Sequence, residues 1–172
     1  MLFSIKLENT AWTLGQLCNL FKLEGKRYEQ YTLAFFNHIF STEEELTNAI
    51  KSIDLNKPII ILTINGNPAS TYKLNAIGTR EINYQNVPNY KNEVSRSLGL
   101  YRGKSQDFHH YLQAFFGLHP WDGFYKDEYV DEVLTSGTVK RKDVKYMKDF
   151  SIAELRKILP HNSIKLKRLL EQ

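Results

Sequence analysis

Apolar and polar positions alternate along the start of the chain: Phe3, Ile5 and Leu7 fall on one side, Ser4 and Lys6 on the other. Alternation of period two is the mark of a half-buried strand. Glu8-Asn9-Thr10 supplies a hairpin turn, and Trp12 to Leu20 reads as the returning strand, with Gly15 inside it predicting a bulge or a bend that curls the sheet. A polar loop at Glu24-Gly25-Lys26-Arg27 leads to a third strand from Tyr31 to Phe40. That strand is apolar on both faces and is therefore expected inside the sheet. The pattern then changes period. Leu46, Ala49, Ile50 and Ile53 make one face of a helix, opened by Thr42 and Glu45 at capping-box spacing behind three acids. After Pro58 the run Ile59-Ile60-Ile61-Leu62-Thr63-Ile64 is too β-branched for a helix and is predicted to be the most buried strand. Asn65-Gly66-Asn67-Pro68 signals a turn, from which Tyr72 to Ile77 returns as its partner and ends at Gly78.

Residues 79 to 104 are polar and rich in turn formers. A loop of that length in a small domain often serves function. Beyond it, Ser105 or Asp107 caps a helix whose stripe is Phe108, Tyr111, Leu112 and Phe115. Gly117 and Pro120 then stop the chain from continuing as helix. Asp122-Gly123 favours a turn, and Asp127 is expected to N-cap a short helix carrying Tyr129, Val130, Val133 and Leu134, with Gly137 at its end. Ser151 and Glu154 form a second capping box, with Phe150 and Leu155 as its staple; Pro160 ends that helix and a last one runs from about Ser163 to Leu170. The sum is an α+β fold: a curled, mainly antiparallel N-terminal sheet of about five strands with one inserted helix, and a helical C-terminal half packed on the same domain.

Composition narrows this picture only a little. The 172 residues, 42% hydrophobic and 24% charged, describe an ordinary globular chain with one sizeable core. No secretory signal pattern opens it and no apolar run reaches the roughly 20 residues that cross a bilayer. A cytoplasmic location and no membrane partner are the expectation. The lone Cys18 suits a reducing compartment. The net charge of +4 is unevenly placed: from Val139 to Gln172 there are 10 Lys and Arg against 4 Asp and Glu, and before it 13 against 15. A solvated helical face accounts for such a tail, and with no aromatic-interleaved basic stripe nucleic acid is not the expected partner.

Candidate chemistry is sparse. Nucleophile-elbow, phosphate-loop and dinucleotide-binding motifs are missing, and none of the five histidines sits in a metal-binding motif. A metal site would have to be assembled from distant residues, the best being His38, His109, His119 and Asp122. No cofactor, metal ligand set or catalytic residue is assigned. The segment Phe115 to Leu134, FFGLHPWDGFYKDEYVDEVL, concentrates what remains. Two readings of it stay open. Either Trp121 and Phe124 anchor an aromatic corner in the core, or Trp121, with Asp122, Phe124, Glu128 and Asp131 around it, is partly exposed and meets a partner protein.

That segment carries a resemblance. Gly117, Leu118, Pro120, Trp121, Asp122, Tyr129, Asp131 and Leu134, together with the opening FSIKLENTAWTLGQL, the strand at Ala34 to Phe36 and the IIILT strand, resemble the bacterial immunity protein 26 family of polymorphic-toxin systems. The match covers about residues 1 to 137 and leaves 138 to 172 as a basic helical extension. Where the family often has Gly-x-Trp before a strand ending in Ile-Gly, this chain has Ser70-Thr71-Tyr72 and keeps only Ile77-Gly78. The resemblance implies binding and neutralising a cognate toxin domain without catalysis. It also brings an alternative, since a small metal-dependent phosphotriesterase is grouped with the same family. A nucleic-acid-binding accessory that uses the basic tail is the second alternative.

Overall fold

In the computed structural model the described residues are 1–8, 11–22, 29–65, 74–82 and 108–171. The chain forms two compact units, Met1–Gln106 and Asp107–Gln172. Its fold is α+β, with a five-stranded antiparallel sheet and one inserted helix in the first unit and helices in the second.

The first unit contains β1 (Leu2–Lys6), β2 (Trp12–Lys22), β3 (Glu29–Phe36), α1 (Glu43–Ala49), β4 (Pro58–Asn65) and β5 (Asn75–Gly78). The strand order is β4-β3-β2-β1-β5. The β1–β2 hairpin is closed by the Leu7 N–H donating to the Ala11 carbonyl at 2.8 Å. β3 is an interior strand, as its apolar faces predict, but it stops at Phe36. Phe40 forms only an isolated bridge to Trp12. β4 is buried from Pro58 to Leu62 and stands at one end of the strand order. The expected β4–β5 hairpin is not formed either: β5 pairs with β1, where Phe3 lies opposite Ala76. The turn at residues 66–68, the loop at 24–27 and residues 83–104 lie outside the described residues.

β1 is covered on both faces, where half-burial was expected. Leu2, Leu14, Ala34 and Ile61 share a face and pack with Leu46 and Ile50 of the α1 segment and with Leu55. Ser4 lies in this burial too, and its hydroxyl is satisfied by donating to the Glu43 carboxylate at 2.5 Å. On the other face Phe3, Gly15, Phe35 and Ile60 form one cross-strand row. Gly15 is not a bulge. The register break in β2 comes between Leu17 and Asn19, so Cys18 is the extra residue. Gly15 instead makes room for the Phe3 ring, which meets Phe35 edge-on at 6.3 Å.

α1 shows how one capping signal can be read one residue off. The Thr42 side chain accepts from the Glu45 N–H at 3.1 Å, but Glu45 returns its carboxylate to the Ser41 N–H at 2.9 Å rather than to Thr42. The opposite end is held by Arg80, whose Nη1 donates to the carbonyls of Ile50 and Ile53 at 3.1 and 2.7 Å. A guanidinium there satisfies orphan acceptors and favours the negative end of the dipole.

The second unit contains α2 (Phe108–Phe115), a 3₁₀ turn at Asp131–Val133, another at Met147–Asp149, then α3 (Ile152–Ile158) and α4 (Ile164–Leu170). Phe108, Tyr111, Leu112 and Phe115, the stripe of α2, are all buried. Both C-terminal helices begin where the sequence places their starts, the first at its predicted capping box. Ser151 and Glu154 bond reciprocally, and Ser163 accepts from the Leu166 N–H. Leu155, Leu159 and Leu166 pack together with Met147, Phe150 and Leu169, the expected staple residue among them.

Candidate functional site

The segment after α2 is shaped first by its backbone. Gly117 takes φ +70°, and the Leu118 N–H donates to the Gln113 carbonyl at 2.8 Å, the six-to-one bond of a Schellman closure. A side chain at 117 would also run into the Asp143 carbonyl oxygen. Glycine is required there on both counts. The Trp121 N–H then donates to the Lys145 carbonyl at 2.8 Å and ties the turn to the stretch that precedes α3.

Trp121 itself is 1% exposed, and its indole N–H donates to Asp131 Oδ2 at 2.8 Å. Of the two readings, the enclosed aromatic corner is the one observed. The ring is not a surface anchor, because its apolar area is already buried and its one polar atom is satisfied. Asp131 is in turn paired with Lys140 at 2.7 Å, and the same ammonium stands 4.5 Å from the Trp121 ring centroid. Asp122 accepts from the Met147 N–H at 2.8 Å and its carbonyl accepts from Lys165. Phe124 is half-buried among aromatic rings, 5.0 Å from His119, 5.5 Å from Tyr111 and 5.7 Å from Tyr129.

The acids of this segment are mostly paired within the unit. Asp127 does not cap a helix, as the sequence suggested. It forms an ion pair with Lys165, and the following 3₁₀ turn has no side-chain cap at all. Glu132 pairs with Lys126 at 3.6 Å. Glu128 alone among Asp122, Asp127, Glu128, Asp131 and Glu132 is exposed with neither an ion pair nor a hydrogen bond from its side chain among the described residues. Gly137 has φ +81° but lies in a separate turn, four residues past the end of the 3₁₀ turn at Val133.

One exposed aromatic went unread in the sequence. Tyr125 is 71% exposed and rests edge-on against Tyr129, 4.6 Å between centroids. The available signal was its place between a turn dipeptide and a charged run, off any apolar period. Tyr125 and Glu128 therefore face outward without structural partners of their own beyond Tyr129 and Lys126, while Trp121, Asp122 and Asp131 tie the segment to the rest of the unit.

His119 is buried, 5.4 Å from His110 by ring centroid, and hydrogen-bonds through Nδ1 to the Pro120 carbonyl at 3.0 Å. Since a carbonyl only accepts, Nδ1 carries the proton of the neutral ring. Burial is the main reason its pKa is pushed down to about 4, and the neighbouring His110 adds to the fall. Burial lowers the pKa of His109 as well. His38 lies in the first unit, where its Nε2 bonds to the Asp54 carbonyl at 2.6 Å. Among the described residues no three His, Cys, Asp or Glu side chains are grouped so as to hold a metal ion.

Neither the family models, the curated proteins nor the solved structures compared with this chain give a match. Among the described residues no helix is long and apolar enough to cross a membrane.

Proposed function

We propose that this chain is an immunity-type binding protein, acting in the cytoplasm to neutralise a cognate toxin domain by occluding its working surface, without catalysing a reaction. The observation that supports this reading is the build of the segment 121 to 134. The buried Trp121, bonded to the solvent-facing Asp131 and covered by Lys140, underlies an exposed aromatic, Tyr125, and a carboxylate, Glu128, that has no partner among the described residues. Tyrosine is a favoured interface anchor because it brings a large area at small entropic cost. The residues that resemble the immunity protein 26 family fall in the same segment. Contact is thus assigned to Tyr125 and Glu128, with Phe124 partly accessible behind them and Trp121, Asp122 and Asp131 as supports.

The test is whether the adjacent open reading frame encodes a toxin domain and whether that domain co-purifies with this chain. Tyr125→Ala combined with Glu128→Lys should weaken the complex at least tenfold while the melting temperature stays within about 2 °C of the parent. Undiminished binding by that double variant overturns the assignment. Turnover of a chromogenic phosphotriester by protein loaded with zinc or manganese would overturn the non-catalytic reading.

A further inference from the structure

β4 is built like an interior strand but stands at the end of the sheet. Its side chains are buried on both faces, Ile60, Leu62 and Ile64 on one and Ile59 and Ile61 on the other, and the strand carries no charge. Such a continuous apolar run belongs to strands with a neighbour on either side. The devices that commonly blunt an edge are confined to its start: Pro58, and the register break opposite Phe35 and Phe36. From Ile60 to Asn65 the strand is regular against β3. β5, at the opposite edge, offers only the four residues Asn75–Gly78.

The direction of the edge's backbone groups follows from β2. The Leu17 N–H donates to the Met1 carbonyl, while Trp12 exchanges both backbone bonds with Phe40 on its other side. Up to Leu17, then, odd residues of β2 bond towards β1 and even ones towards β3. Gln16 thus bonds to Ala34, which leaves Leu33 and Phe35 to bond to Leu62 and Ile60. The N–H and C=O groups of Ile61, Thr63 and Asn65 accordingly point away from β3, and no backbone bond from elsewhere reaches them among the described residues. Thr63 also holds the one enclosed side-chain oxygen among the described residues that bonds to nothing, a state that is costly if it persists.

We infer that this edge pairs antiparallel with β4 of a second copy across a two-fold axis, Thr63 opposite Thr63 and Ile61 opposite Asn65. In that register each of the three outward residues donates one bond to the other copy and accepts one from it. The two Thr63 side chains stand opposite each other on one face, where rotation about χ1 lets the hydroxyls pair, a favoured cross-strand contact. The seam opposes no like charges, since β4 has none and Lys57 of each copy lies beyond the far end of the other's strand. Parallel pairing would set Lys57 against Lys57. Pairing of β4 on β5 would be only four residues long and would leave edges free to add further copies, whereas the two-fold contact closes on itself. An uncharged strand of equal length and opposite direction is what this edge needs, and the chain itself supplies it. The inference concerns the first unit and does not rest on toxin binding, which is assigned to residues 121 to 134.

Sedimentation of the full chain at about 1 to 100 µM should show the 20.1 kDa monomer giving way to a particle of twice that mass. In hydrogen exchange the amides of Ile61 and Thr63 should slow at least about tenfold between the dilute and the concentrated sample, while those of Ile60 and Leu62, bonded to β3, stay protected in both. Thr63→Pro removes an outward N–H that β3 does not use and should weaken the dimer at least about tenfold, with circular dichroism reporting whether the sheet remains. If that variant does not fold, the exchange comparison decides alone. A chain that stays monomeric at the upper concentration overturns the inference, as does a dimer in which Ile61 and Thr63 exchange equally at both. Protection of those two amides in the dilute monomer would show the edge covered by the chain itself, and overturns it as well. So does a folded Thr63→Pro variant that dimerises as tightly as the parent.

Discussion

Lys140 is placed against Trp121 so that one ammonium serves two partners: it lies 4.5 Å from the ring centroid and 2.7 Å from the Asp131 carboxylate that accepts the indole N–H. Ring, carboxylate and ammonium close a three-membered set. The turn it fixes is also tied down through the backbone bond from Trp121 to Lys145.

Removing the middle member should therefore cost more than a surface ion pair does. Asp131→Ala leaves the Trp121 N–H buried without an acceptor and is expected to destabilise the second unit by about 1–3 kcal/mol. Urea unfolding followed by tryptophan fluorescence would measure it. Lys140→Ala, which leaves the indole bond intact, should cost less than about 1 kcal/mol. Equal losses in the two variants would mean that the indole bond is not the larger contribution.

Gly15 makes a prediction of the opposite kind, one about too much volume. Gly15→Ala places a methyl group in the space of the Phe3 ring, and overpacking of this sort costs about 1–3 kcal/mol. Adding Phe3→Leu should recover part of the loss, since the obstacle is a side chain and not backbone. Without such recovery in thermal melts, the cause lies in the strand backbone.

Stability should fall on acidification because of His119. Its folded pKa of about 4 lies below the ordinary 6.5, so between those values the unfolded chain binds the extra proton. The neutral ring's contribution is complete above about pH 6.5 and is lost as pH falls towards 4. From pH 7 to pH 5 the expected loss is about 2 kcal/mol. His119→Gln should flatten that part of the profile. A nuclear magnetic resonance titration giving His119 a pKa near 6.5 would remove the basis for the prediction.

Local signals were read well from the sequence and partner choice was not. The caps at Thr42 and Ser151 and the stop at Gly117 rest on bonds within a few residues, so each can be recognised from its neighbours. The pairing of β5 with β1 depends on which edge lies open after β4 is laid down, and no nearby residue encodes that. Gly15 signalled a bulge because a glycine inside a strand usually does, while its true reason, the Phe3 ring, sits on the adjacent strand. Asp127 passed as a cap because Lys165, which holds it, is 38 residues away. In the candidate segment the chemistry of Trp121 and Asp131 was legible, but not their direction. Burial is a property of the assembled unit: it encloses Trp121, and it leaves Glu128 and Tyr125 outside.

The place of β1 between β2 and β5 has a consequence for biosynthesis. β1 acquires its second neighbour only when residues 75–78 emerge from the ribosome, after more than sixty intervening residues have been made. Until then one of its backbone edges lacks the strand that finally covers it. Closure of so distant a pair is entropically slow. A nascent chain stalled before Asn75 should consequently be the form most prone to pair, strand to strand, with a neighbouring copy.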